Sequence, residues 1–116
     1  QMIVVIFELI CREGKTPHYL DLAAELKPLL QDIDGFISIE RFRSLNDDNK
    51  LLSLSCWRDE QAVMQWRNLM QHRLAQKLGR DDIFADYRLR VASVMRDYRL
   101  DDRADAPHDS KQFLSV

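Results

Sequence analysis

Cysteine, histidine and long apolar runs are all scarce in this chain, and each shortage closes off a class of function. Its 116 residues hold two cysteines and three histidines. Cys11 and Cys56 make no C-x-x-C pair, and His18, His72 and His108 are scattered, which argues against a metal site; two reduced, buried thiols are expected. The most apolar stretch, Met2 to Ile10, is interrupted by Glu8. It is too short to cross a bilayer and has neither the basic lead-in nor the small-residue cleavage site of a signal peptide, so no membrane partner and a cytoplasmic setting are expected. An excess of one charge is missing too. Seventeen basic residues against nineteen acidic ones, interspersed, give a net charge of -2 and no broad positive field, so nucleic acid is not an expected partner. No low-complexity tract precedes residue 100, and 46% hydrophobic content in one chain of this length predicts a single domain with a modest core.

What is present follows two periods. Ile and Val crowd Met2–Ile10 at both odd and even positions, as in a strand covered on both faces. Gly14-Lys15 read as a turn, Thr16 as a helix cap and Pro17 as the first helical residue; Leu20, Ala23, Ala24, Lys27 and Leu30 then follow at helical spacing, predicting a helix over residues 17–33 with a kink or break at Pro28. Asp34-Gly35 turns the chain into a strand over Phe36–Arg43, in which Ile37 and Ile39 alternate with Ser38 and Glu40. The polar loop Leu45–Asn49 leads back along Lys50–Trp57, with Leu52, Leu54 and Cys56 on one face.

Asp59 stands just before Val63, Trp66, Met70, Leu74 and Leu78, three or four apart, and caps a second helix that Gly79 ends. From Tyr87 the period becomes two, with Tyr87, Leu89 and Val91 on one face and Arg88 and Arg90 on the other. The slip to Val94 after Ala92-Ser93 suggests a bulge that bends this strand toward a partner.

Strand, helix, strand, strand, helix, strand is the α+β, ferredoxin-like βαββαβ order: one antiparallel-rich sheet with both helices on one face. A first strand that is apolar on both sides then needs cover on the bare face. A second copy supplies it, because identical apolar faces are self-complementary, and a homodimer with sheets face to face is expected. Residues 1–99 form the domain, and 100–116, rich in Asp with Pro107, a surface arm whose Phe113 and Leu114 dock on the partner. Glu8 inside an apolar strand needs a pocket or an arginine, and Arg41, Arg88 and Arg90 are the candidates.

The D-G-F-I-S-I-E-R-F entry to the second strand, the S-x-S-x-W exit from the third, W-R-x-x-x-x-H-x-x-A-Q-x-x-G-R on the second helix and Y-R-L-R-V after it resemble the antibiotic biosynthesis monooxygenase family over residues 2–98. The resemblance implies a dimeric α/β barrel with a pocket between sheet and helices in each subunit. It also implies one of two activities: cofactor-free oxidation of a quinol-like or polycyclic phenolic molecule by O₂, or oxidative cleavage of haem. The haem-cleaving branch uses an asparagine on the first strand, a tryptophan on the second helix and a histidine about nine or ten positions further on. Trp66 fits, but Ala75 and Gln76 stand at the ligand's distance, and Phe7 and Glu8 stand where the asparagine would be. His72 follows Trp66 by six residues, almost on the opposite side of a helix. The expectation is therefore no cofactor, and haem cleavage stays as a third reading behind phenol oxidation and ligand binding.

For the phenol-oxidising reading, the catalytic candidates are Trp66 as a wall for a planar ring, His72 as a base and Arg80 as a cation that favours the phenolate. Arg67 is a second such cation; Arg67, Tyr87, Phe7 and Glu8 are the residues expected to meet the substrate. Each has a plain structural alternative: Trp66 and Tyr87 as core, His72 as a half-exposed surface residue, Arg80 paired with Asp81 or Asp82. A non-catalytic dimer of the same fold that binds or senses a small apolar ligand is the alternative function.

Overall fold

The computed structural model describes residues 2–77 and 80–110; of residues 77, 80 and 81 it describes the backbone alone. The elements are β1 (Ile3–Cys11), α1 (Thr16–Gln31), β2 (Phe36–Arg43), β3 (Lys50–Trp57), α2 (Glu60–Lys77), a single turn α3 (Arg80–Ile83) and β4 (Phe84–Ser93). The sheet runs β2-β3-β1-β4 with every pairing antiparallel. This is the ferredoxin-like βαββαβ fold, with β1 at the centre as its two-sided apolar pattern requires. Among the described residues, no helix is long and apolar enough to cross a membrane.

Both helices lie on one face. Phe7, Leu9 and Leu51 pack under Tyr19, Leu22 and Leu26 of α1, while Ile3, Val5 and Trp57 pack with Leu30, Ala62, Val63 and Trp66. On β3 the residues beneath the helices are Leu51, Ser53, Ser55 and Trp57, all buried. Leu52, Leu54 and Cys56 share the other face, as their alternation predicts, and point away from the helices. Small serines leave room for the Trp57 ring, whose Nε1–H donates to Ser55 Oγ at 2.9 Å and so is satisfied although fully buried.

Arg58 ties the start of α2 to the turn before β2. Its Nη1 and Nη2 donate to the two Asp34 carboxylate oxygens at 3.1 Å each, and its Nε donates to Asp59 Oδ2 at 2.9 Å. Asp59 Oδ1 also accepts the Ala62 N–H at 2.9 Å, the helix cap expected from the sequence. The Arg58 hydrogen bonds hold the Asp34 carboxyl below the usual carboxylate range. For Asp59 the Ala62 N–H does so first and Arg58 second.

Gly35, between them, has φ +97°, and a Cβ there would lie 2.9 Å from Ala62 Cβ. Gly35→Ala is therefore expected to cost about 1–3 kcal/mol, through left-handed backbone strain and displacement of α2, read as a lower urea midpoint with an unchanged slope.

Five local expectations are corrected. Thr16 is the first helical residue, not the cap; its hydroxyl bonds the Cys11 thiol, and Lys15 takes the cap position with no side-chain bond. Pro28 does not break α1, because Pro28 and Ala24 are both exposed, so the carbonyl left unpaired faces solvent. The bulge of β4 sits at its start, where Ile10 pairs with Asp86 but Cys11 with Phe84; register holds through Ile3–Ser93, since ladder pairing is made by backbone whatever the side-chain pattern. Ile37 is 52% exposed at an irregularity between Phe36 and Ser38, so only Ile39 of that pair packs on the core. The thiols of Cys11 and Cys56 are half-buried rather than buried.

The arm is curled where described. The Arg103 guanidinium lies 5.0 Å over the Tyr98 ring, Asp105 accepts the Asp97 N–H at 2.6 Å, and Ala106 is buried. Phe113, Leu114 and Gly79 lie outside the described residues.

Candidate functional site

β4 is an edge strand, and α2 does not cover it. Register with Leu9, Phe7 and Val5 places Tyr87, Leu89 and Val91 on the helix side of the sheet, yet they remain 43%, 41% and 44% exposed. A groove of about 240 Å³ therefore opens between α2 and β4, lined by Phe7, Trp66, Met70, Leu74, Tyr87 and Leu89, with Arg67 and Gln71 as its polar residues on α2. Such walls suit a small, mostly apolar molecule held by a few polar groups.

The floor is set by aromatic packing. Phe7 meets Phe84 edge-on at 5.6 Å and Tyr87 at 5.8 Å, and Phe84 also meets Tyr87 at 5.8 Å. Behind Trp66, the Trp57 ring stands at 6.2 Å. Ile83 and Phe84, both buried, anchor the start of β4 from below. A second hollow continues the groove past Arg67, lined by Glu60, Gln61, Val63, Met64 and Val91.

Four expected site residues meet here: Phe7, Trp66, Arg67 and Tyr87. His72 does not. It is exposed, and six residues along α2 from Trp66 is about 240° of turn, which carries it away from the groove. Glu8 does not either, because alternation sends it through the sheet to the face opposite Phe7. There Arg90 Nη1 donates to Glu8 Oε2 at 3.1 Å and Lys50 Nζ stands 3.9 Å from Oε1, so Arg90 is its partner of the three arginines named, while Arg41 Nε instead donates to the Tyr19 hydroxyl at 3.3 Å. The Arg80 side chain lies outside the described residues.

Met70, Gln71, Leu74 and Leu89 also line the groove without having been expected there, and Gln71 is the polar one of them. Its signal was present: Arg67, Gln71 and Leu74 at i, i+4 and i+7 form a stripe beside Trp66 and Met70. The Cys11 thiol is pushed up by burial, with the Thr16 bond opposing, the reverse of an activated nucleophile.

This geometry has relatives. The sequence profile described as antibiotic biosynthesis monooxygenase matches residues 2–78. A jasmonate monooxygenase of Pyricularia oryzae is 43% identical over 98 residues, covering 84% of this chain and 46% of its own length; the chain thus spans about half of that relative. Among solved structures, Rv0793 of Mycobacterium tuberculosis superposes with a TM-score of 0.70 at 15% identity, covering 84% of this chain and 98% of that one. SnoaB, a cofactor-independent oxygenase from Streptomyces nogalater, superposes at 0.65 and 13% identity over 83% of this chain and 95% of its own. At such identities the superpositions speak for the fold, and the profile and the Pyricularia relative for the kinship. The chain belongs to the antibiotic biosynthesis monooxygenase family.

Proposed function

We propose that this chain is a cofactor-independent monooxygenase that oxidises a quinol-like or polycyclic phenolic molecule with O₂ in the groove between α2 and β4. One observation carries the reading: an aromatic and aliphatic groove, walled by Trp66 and floored by Phe7, on a scaffold of this family. The name of the Pyricularia relative supports a small organic substrate over a macromolecular one.

The chemistry needs little from side chains. An ionised, electron-rich ring carbon transfers an electron to O₂, and radical recombination forms a C–O–O–H bond. Loss of water then leaves a carbonyl. For a phenol oxidised to a quinone, one oxygen atom stays in the product as the new carbonyl, the other departs as water with the ring carbon's hydrogen and the hydroxyl hydrogen, and all four electrons come from the substrate. The protein's part is to orient the ring against Trp66 and to hold its oxygens at Tyr87 and Gln71.

Among the described residues lining the groove there is no histidine. The substrate must then ionise by its own acidity, and the open side of the groove lets the proton reach solvent. O₂ uptake measured against a panel of quinols and naphthols is expected to rise with pH up to each substrate's own pKa, and His72→Ala is expected to change kcat/KM less than about twofold. A profile that follows an imidazole near neutral pH and vanishes in His72→Ala would overturn this assignment. No O₂ uptake with any member of the panel would overturn the monooxygenase reading.

The same reading makes the chain a homodimer. Val4, Ile6 and Ile10 of β1 lie beside Leu52, Leu54 and Cys56 of β3 on the sheet face that neither helix covers. Residues 1–99 serve as the domain, and the arm from residue 100 packs on the partner.

A further inference from the structure

Several arginines around this sheet have partners: Arg41 has the Tyr19 hydroxyl, Arg58 has Asp34 and Asp59, and Arg90 has Glu8. Arg88 on β4 and Arg67 on α2 make no hydrogen bond or ion pair among the described residues, but Arg88 belongs to the sheet face turned away from the groove. Arg67 stands where the groove meets the second hollow, lining both. No acidic residue lines the groove itself among the described residues, and the other lining groups there are apolar, aromatic or neutral. A lone guanidinium at the edge of an apolar groove is a recognition element for an anion.

Resting on the groove as the substrate site, we infer that its ligands are small apolar molecules bearing a preformed carboxylate, which Arg67 selects at the junction of the two hollows. Ionisation decides between carboxylate and phenolate as the anion at Arg67. A phenol with a pKa near 10 is ionised only about one part in a thousand at pH 7, whereas a carboxylate with a pKa near 4 is ionised almost completely. Arg67 is exposed, and an exposed cation in contact with water shifts a neighbouring phenol too little to make up a factor of that size. The same exposed cation is sufficient to prefer a ready-made carboxylate over a neutral group of equal shape by about five- to tenfold.

The second hollow fixes the direction. Its far end carries Glu60, seven residues before Arg67 on α2 and so about 10 Å along the helix axis. An anion pushed past Arg67 into that hollow meets a like charge, while Val63, Met64 and Val91 between them offer only apolar surface. The carboxylate therefore stops at Arg67, and the apolar body lies back against Trp66, Phe7 and Leu89. Oxidation takes place on the ring, away from the charged end.

The matched probes are 1-naphthylacetate and its neutral amide, titrated calorimetrically into the wild-type protein and into Arg67→Gln and Arg67→Lys. The wild type is expected to bind the acid about five- to tenfold more tightly than the amide at low salt, with the ratio approaching one in 0.5 M NaCl. Arg67→Gln is expected to bind both equally, its affinity for the amide staying within about twofold of wild type, and Arg67→Lys to keep part of the preference. Equal wild-type affinities, or a preference that survives in Arg67→Gln, would overturn the role of Arg67 and leave the groove standing as a ligand site. Failure of both probes to bind at millimolar concentration would overturn the groove along with it.

Discussion

Trp66→Ala is expected to lose turnover and roughly 3–5 kcal/mol of stability together, while Trp66→Phe separates the two. Trp66 is 7% exposed and packs among Val63, Ala62 and Trp57, so truncation leaves a cavity between α2 and the sheet. Against a total stability of about 5–15 kcal/mol for a domain of this kind, that loss endangers the fold, and activity alone says nothing about the groove. Phenylalanine keeps a ring in the same place and is expected to cost only about 1–2 kcal/mol. If the indole is the wall against which a planar substrate lies, Trp66→Phe shortens that wall, and kcat/KM falls by about tenfold or more while the urea midpoint drops by less than half as much as in Trp66→Ala. Unchanged turnover in Trp66→Phe would return the residue to a packing role. O₂ uptake and urea unfolding on the same preparations read both arms.

The indole has two jobs because one side of α2 has two neighbours. Toward β3 it meets Trp57, and toward β4 its edge meets the groove, since α2 stops short of the sheet's last strand. This explains how far the sequence could be read. β2 and β3 fall on the expected residues, and Asp59 caps α2 as expected, because turn chemistry and capping are local. Which face of β3 the helices cover was not local. Alternation shows that Leu52, Leu54 and Cys56 share a side, and the same pattern is equally satisfied by helices or by a second protein molecule; the structure puts the serines under the helices. Ile83 and Phe84 escaped notice because they follow Arg80-Asp81-Asp82 at the junction between a single helical turn, which Ile83 ends, and β4, which Phe84 begins, so neither period is yet visible there. Phe7, Trp66, Arg67 and Tyr87 could be read from the sequence as neighbours in one groove, since they lie on stripes that face the sheet's interior side. Glu8 and His72 drew attention by their chemistry, and their spacing from Phe7 and Trp66 sent them elsewhere.

Leu54→Arg is expected to convert a dimer into a monomer at micromolar concentration while leaving the subunit folded. Leu54 pairs with Ile6 at the middle of the two central strands, on the face turned away from both helices, with Val4 and Cys56 as the next pair along. Within one subunit it is only half-buried, so arginine there keeps its charge in water and the fold loses little. In a two-fold dimer with sheets face to face, two guanidinium groups enter the centre of the interface, and even with the cross-strand Glu40 beside each, desolvating them costs about 2–3 kcal/mol apiece. That shifts the dissociation constant by more than a hundredfold.

Glu8 does not rescue them, since Arg90 and Lys50 already occupy its carboxylate at the edge of the apolar centre. Leu45→Arg is the control: Leu45 is 99% exposed in the β2–β3 loop, and its replacement is expected to change nothing. Sedimentation velocity distinguishes the outcomes. A monomeric wild type removes the dimer, and a dimeric Leu54→Arg moves the interface to another surface. The groove opens on the helix side of the sheet, so a Leu54→Arg monomer is also expected to bind 1-naphthylacetate with affinity close to that of the wild type. Loss of binding on dissociation would mean that a groove wall comes from the second subunit.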